Sequence, residues 1–234
     1  MARHRSHSPL VLSIGGSVFR TGEDDVPYLK RLATMLTRIG RDTPLAVTIG
    51  GGRTAREYIG IGRELGLTEI ELDEIGIDVT RLHARLLAAT IGHPTPSHPP
   101  TTLAAAVLEL RHGSPVILGG TEPGHTTDGV AALLAVRLRA ARLVNATNVD
   151  ALYDRDPNAD PQGARPIRRI AWPRFREMVH ANASSKAGQH FIFDRLGAEQ
   201  LAQVRIPTAI VYGRDLPNLE KALRGQSFLG TLVT

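Results

Sequence analysis

The chain has 234 residues, 42% of them hydrophobic and none of them cysteine, which sustains a sizeable core and excludes disulfide frameworks and cysteine zinc sites. Its net charge of +5 rests on dispersed arginines, the only lysines being Lys30, Lys186 and Lys221, and with 4% aromatic residues no basic stripe or stacking platform for nucleic acid stands out. The apolar run Leu10 to Ile14 is far too short for a signal segment or a membrane span, so a soluble, cytoplasmic protein is expected.

In chain order, residues 1–8 read as a basic, disordered tail, and residues 9–234 as one domain without repeats or low-complexity linkers. Short apolar runs predict strands at Leu10–Ile14, Leu45–Ile49, Pro115–Leu118, Arg142–Asn145 and Thr208–Tyr212, with a closing strand in "GTLVT". They alternate with segments of helical period, the pattern of an α/β sheet covered on both faces. The first helix lies in "DDVPYLKRLATMLTRIG", where Val26, Leu29, Leu32, Ala33, Leu36 and Ile39 share a stripe and Gly40 is the expected C-cap. A second helix starts near Arg53 and a third carries "VTRLHARLLAATIG". A proline-rich connection follows, in which His93 and His98 lack a carboxylate in register and read as exposed loop rather than metal ligands. Thr101 or Thr102 caps the helix in "LAAAVLELRHG", and further helices are expected at Gly129–Ala140, Pro173–Ala181, Asp194–Gln203 and Asn218–Arg224.

Three glycine-rich turns, "SIGGS", "IGGGRTAR" and "GGTEPGHTTD", each follow an expected strand. All three would emerge at the carboxyl edge of a parallel sheet, where such sheets bind ligands. In the second, Gly50, Gly51 and Gly52 run into a helix, so bare N–H groups, a helix N-terminus, Arg53 and Arg56 together suit an anion. The third crowds donors at Thr121, Gly124, His125, Thr126 and Thr127, although Thr126, Thr127 and Asp128 also suit a helix N-cap. Neither the P-loop nor the G-x-G-x-x-G spacing is met, so a different phosphate-binding architecture is needed.

These motifs resemble the amino-acid kinase superfamily, and within it the archaeal type of uridylate (UMP) kinase. The resemblance runs from "IGGSV" through "GGGRTAREYI", "ELDEIGIDVTRLHARLL", "GTEPGHTTDGVAALLA" and "NATNVDALYDRDP" to the terminal "GT". It implies a three-layer αβα sandwich around a mainly parallel sheet, with acceptor binding in about 9–140 and ATP binding in about 141–234. It also implies transfer of the γ-phosphoryl of ATP to UMP, a Mg²⁺ held by nucleotide phosphates and water, no nucleic-acid or membrane partner, and a homo-oligomer, a hexamer built of dimers. The apolar stripe of the first helix is expected near that dimer face, the alternative being that it packs on the sheet.

By the same resemblance Ser13, Ile14, Gly15, Gly16, Ser17, Gly52 and Arg56 face ATP phosphates, while Thr147, Asn148, Tyr153 and Asp156 hold adenine and ribose. Gly51, Asp73 and the loop Thr121, Glu122, Pro123, Gly124, His125, Thr126 and Thr127 hold UMP. Arg56, Asp128 and Lys186 are the catalytic candidates, Asp128 orienting phosphate-binding groups or hydrated Mg²⁺ rather than acting as a base. The chain departs from the pattern at Ser13, where many relatives carry lysine, and at Ala151, where they carry glycine; "HANASSKAGQHFIFDRLGAEQL" matches loosely. A neutral hydrogen bond is all the Ser13 hydroxyl is expected to offer, so Arg56 and Lys186 are left to meet the phosphate charge. The competing readings are a kinase of another small phosphate such as isopentenyl phosphate, and a nucleotide-binding storage protein; "TRLHARLL" and "TEPGHTT" favour uridylate over both.

Overall fold

The computed structural model describes residues 8–20, 22, 25–155, 159–182, 193 and 195–234. In chain order the elements are β1 (Leu10–Ile14), α1 (Val26–Asp42), β2 (Leu45–Ile49), α2 (Gly52–Glu64), α3 (Glu69–Ile91), α4 (Leu103–His112), β3 (Val116–Leu118), α5 (Thr127–Leu138) and β4 (Arg142–Thr147). The second half adds β5 (Leu152–Tyr153), β6 (Pro166–Ile167), β7 (Arg169–Ile170), α6 (Trp172–Asn182), α7 (Arg195–Val204), β8 (Thr208–Tyr212), α8 (Leu216–Arg224) and β9 (Thr231–Val233).

The main sheet has the order β3-β2-β1-β4-β8-β9-β7. Its first five strands are mutually parallel, β9 runs antiparallel to β8, and β7 closes the edge parallel to β9. Every residue of β1 and β2 is buried because helices cover both faces, which is why these strands read as apolar runs interrupted only by Ser13 and Thr48. Against one face, Leu12 and Ile14 pack with Leu32 and Leu36 of α1, Leu87 of α3 and Leu219 of α8. Val11, Ala46 and Leu143 face the other way, onto Val130 and Leu134 of α5, Phe175 of α6 and Leu201 of α7. Each such aliphatic side chain contributes about 1.5–3 kcal/mol on burial. This is the three-layer αβα sandwich around a mainly parallel sheet.

Several boundaries differ from the sequence reading, each for a packing or capping reason. Helix α1 runs through Gly40 to Asp42, and Gly40 is an interior contact whose missing side chain admits Pro115. Its apolar stripe, including Tyr28, Leu32, Leu36 and Ile39, is buried in the core and so is not available as an oligomer face. Helix α3 begins at Glu69, well before Val79, because Thr68 and Glu71 form a reciprocal capping box. Helix α5 begins at Thr127 on the cap Thr126, which accepts from Gly129 N. Strand β4 extends to Thr147, and the short β5, β6 and β7 were not foreseen. His93 and His98 are exposed.

Candidate active site

Strands β1, β2 and β3 deliver the three glycine turns to the same carboxyl edge. The first turn is anchored to its neighbours by Gly15 N donating to Ala146 O and by Gly50 N donating to Ile14 O, each 2.9 Å. It closes on itself through Val18 N and Phe19 N, which both donate to Gly15 O. The second turn packs on the first backbone to backbone: a Cβ on Gly16 would collide with Gly52 N, and Gly52 itself has φ +60°. No side chain larger than hydrogen fits that crossing. The third loop joins there too, since the Gly50 position lies beside Thr127 Oγ1.

Helix α2 starts in this crossing with no side-chain cap and no acidic residue in its first turn. Its leading N–H groups are therefore left to water or a ligand, and the helix dipole favours an anion. Of the two arginines that follow, Arg53 pairs with Glu57 at 2.6 Å, whereas Arg56 is exposed and has no ion pair among the described residues.

Ser13 is fully buried and does not line the rim. Its hydroxyl donates to Asp128 Oδ1 at 2.6 Å, which makes it a charge-assisted bond rather than the neutral one expected. Ser13 aligns with Thr48 on β2 and Asn145 on β4, all three buried and all on the α5 face by the alternation that puts Val11, Ala46 and Leu143 there. A polar row thus runs beneath Asp128, which sits in the first turn of α5 behind the Thr126 cap, so capping is not the task of Asp128.

On the acceptor side, Asp73 Oδ2 accepts from Gly124 N at 2.8 Å. The loop keeps buried polar atoms without a hydrogen-bond partner in the protein, namely Thr121 Oγ1 and His125 Nδ1. The latter lies 3.4 Å from Glu122 Oε1, near enough for attraction but outside hydrogen-bond geometry. Unmet buried groups of this kind are costly unless a ligand or water meets them.

At the far side of the first turn, Gly15 abuts Ala146 and Thr147, and Thr147 O accepts from Gly213 N. Thr147 Oγ1 also reaches Asn148 Oδ1. The hydroxyl of Tyr153 donates to Asp150 at 2.9 Å, and that bond raises its pKa. Ala151 is buried in a turn that does not need positive φ, which explains how alanine stands where glycine was expected. Asp156, Lys186 and Asp194 lie outside the described residues.

The sequence reading missed three residues of α3. Thr80 accepts from Gly120 N, Arg81 donates to Gly120 O and Thr121 O, and buried His83 donates through Nδ1–H to Gly50 O. The proton sits on Nδ1 because a carbonyl only accepts. Polar Thr80 and His83 on the same buried face as Leu87 and Ala88 were the available signal.

A sequence model of the amino acid kinase family matches residues 8–195. The chain is 36% identical over 224 residues to the uridylate kinase of Methanobrevibacter smithii, covering 96% of this chain and 98% of that protein. To the uridylate kinase of Methanothermobacter thermautotrophicus it is 40% identical over 224 residues, with the same coverage of 96% and 98%. The crystal structure of the uridylate kinase from Archaeoglobus fulgidus superposes with a TM-score of 0.86 at 35% identity, covering 96% of this chain and 99% of that one.

Proposed function

The chain belongs to the amino acid kinase family, and we propose that it acts there as a UMP kinase, moving the γ-phosphoryl of ATP to the phosphate of UMP to give UDP and ADP. The observation that carries this reading is the meeting of three glycine turns and the uncapped start of α2 at one sheet edge, in a chain parallel along nearly its whole length to uridylate kinases.

Donor and acceptor are both anionic, so the protein's task is to hold them in line and to spread charge over fixed donors. Backbone N–H groups at Gly16, Ser17 and Gly52, beside the bare backbone of Gly15, serve the ATP phosphates with the guanidinium of Arg56. Thr147, Asn148 and Tyr153, together with Asp156, serve the nucleoside of ATP. Gly51, Asp73 and the loop 121–127 serve UMP: one oxygen of Asp73 holds Gly124 N, which leaves the other for a ribose hydroxyl, and the unmet Thr121 hydroxyl suits a phosphate or base acceptor. Asp128 orients the phosphate-binding groups, and Lys186 is the lysine assigned to the transferred phosphoryl. The division into an acceptor-binding part, about 9–140, and an ATP-binding part, about 141–234, follows from the same assignment.

Among the described residues no cluster of three or more His, Asp or Glu side chains forms a cation cage. A single carboxylate such as Asp128, held by Ser13, would fit hydrated Mg²⁺, which keeps most of its ligands as water and phosphate. Bound with ATP, the ion would neutralise part of the phosphate charge.

We assign this reaction to pyrimidine nucleotide biosynthesis in the cytoplasm. We further assign a homo-oligomer, a hexamer, whose apolar contact surface lies on α2 and α3, where Tyr58, Ile61, Leu65, Leu82 and Leu86 are exposed. The test is ADP release with a panel of nucleoside monophosphates. UMP is expected as the preferred acceptor and CMP as a poor one; equal or better turnover of CMP, dCMP or isopentenyl phosphate overturns the reading.

A further inference from the structure

Helix α3 does more than supply Asp73. Its inner face touches the backbone of loop 119–124 at four polar groups in succession. Gly120 N donates to Thr80 Oγ1 at 2.7 Å, while Gly120 O and Thr121 O accept from Arg81 Nε and the Arg81 terminal Nη2 at 3.2 and 3.1 Å. Gly124 N donates to Asp73 at 2.8 Å. Asp73 and Thr80 are seven residues apart, two helical turns, so they rise from one face about 10 Å apart and grip the loop near its two ends.

The contact is close because of what stands opposite. A Cβ on Gly119 would lie 2.6 Å from both Arg81 N and Thr80 Oγ1, so the loop lies directly on the helix. Thr80 is itself fixed, its hydroxyl donating to Ile77 O at 2.6 Å. Arg81 is steadied by Asp78 at 3.7 Å, one turn back on the same helix. The planar guanidinium bridges two consecutive carbonyls, a span that a single ammonium matches poorly. With its carbonyl held from below, Thr121 leaves its own hydroxyl without a protein partner.

We propose that Arg81 and Thr80 are positioning residues for the acceptor: they set the backbone of loop 120–124 before the acceptor arrives, so that its hydroxyl and N–H groups do not have to be ordered on binding. This rests on the UMP kinase reading for the identity of the acceptor. Preorganised donors bind without the cost of ordering them, and every hydrogen bond of the brace goes to Gly120 or Thr121, so its loss falls on acceptor affinity more than on the donor nucleotide.

The experiment compares wild type with Arg81→Met, Arg81→Lys and Thr80→Val, and with Arg85→Met as an exposed control on the same helix. Steady-state constants for UMP and ATP are measured beside amide hydrogen exchange of the free protein. Arg81→Met is expected to raise KM for UMP about tenfold or more, as for a lost hydrogen bond to a charged group, and Thr80→Val about threefold or more, as for a neutral one, with KM for ATP within about twofold in both. Arg81→Lys recovers part of the loss, Arg85→Met changes neither constant, and exchange at Gly120 and Gly124 quickens in Arg81→Met and Thr80→Val. Unchanged KM for UMP, an equal rise in both constants, or unchanged exchange overturns the proposal. Wild type that phosphorylates no UMP overturns the UMP kinase reading instead, and the exchange measurement still decides whether the brace sets the loop.

Discussion

Ser13 and Asp128, 115 positions apart, are joined by a hydrogen bond of 2.6 Å that ties the end of β1 to the first turn of α5 beneath the crossing glycine turns. The serine stands where a lysine was expected, and it contributes an orienting bond where a lysine would contribute charge. Under the proposed assignment, position 13 therefore acts through Asp128.

Ser13→Ala is expected to lower kcat about tenfold with little change in either KM, the loss of one bond to a charged group being worth about 1.5–3 kcal/mol and only part of it reaching the transition state. Asp128→Asn should lower kcat further while leaving stability within about 0.5 kcal/mol, since Thr126 and not Asp128 caps α5. In the Asp128→Asn background Ser13→Ala should add little. A double-mutant cycle on kcat checks this, and equal effects of Ser13→Ala in both backgrounds would show that the two residues act independently.

That pair also shows what could be read before the fold was known. Strands β1, β2 and β8 are legible to the residue because burial on both faces makes them mainly apolar runs, each set between a proline and a glycine. The three glycine turns are legible because close backbone crossing leaves few alternatives to glycine, as at Gly16 and Gly52. The two-residue strands β5, β6 and β7 carry no periodicity and exist only through their partners. The direction of the Ser13 hydroxyl, and the grip of Thr80, Arg81 and His83 on turns some 40 and 33 positions away, depend on tertiary placement that no local pattern encodes. The capping box at Thr68 and Glu71 was in plain sight and would have moved the start of α3 to its observed place.

Arg56 is the exposed cation on α2 that no described carboxylate holds, beside an uncapped helix start. Arg56→Ala is expected to reduce kcat/KM by about 2–4 kcal/mol of transition-state stabilisation, with an unchanged Tm. Arg53, already paired with Glu57, is the matched control, and Arg53→Ala should stay within about twofold. Kinetics of the two variants side by side decide the matter: comparable losses would mean that general positive potential, and not a placed guanidinium, meets the phosphates.

Tyr28 gives the fold a pH dependence of known sign. It is 3% exposed, its hydroxyl donates to Gly213 O at 2.8 Å, and the Arg214 guanidinium lies 4.2 Å above its ring. Burial raises its pKa, with Arg214 opposing and not overcoming the effect. A raised value means that the unfolded chain loses this proton first, so the stabilisation is complete below about pH 10, the ordinary tyrosine value, and declines as pH rises beyond it. Tyr28→Phe should cost about 1–3 kcal/mol at pH 7 by leaving the Gly213 carbonyl unmet, and the deficit should shrink between about pH 10 and 11 as the wild type alone is penalised. Urea unfolding at the two pH values tests it; a constant deficit would uncouple Tyr28 ionisation from stability.

The assembly proposed above uses the apolar surface of the α2 and α3 pair. Leu82 and Leu86, one turn apart on α3, are 63% and 45% exposed, and Tyr58 and Ile61 on α2 continue at helical spacing to Leu65 at its C-cap. Side chains of this size rarely stay in water in such number on one helix pair unless a partner covers them. Their neighbours Thr80, Arg81 and His83 point the other way, onto the glycine turns, so substitutions at Leu82 and Leu86 can break an interface without entering the site. Leu82→Glu with Leu86→Glu should therefore shift the protein to smaller species at micromolar concentration while keeping its helical content. Light scattering of wild type and variant is the measurement. A monomeric wild type would remove the oligomer altogether, and an undiminished assembly in the variant would move the interface off α3.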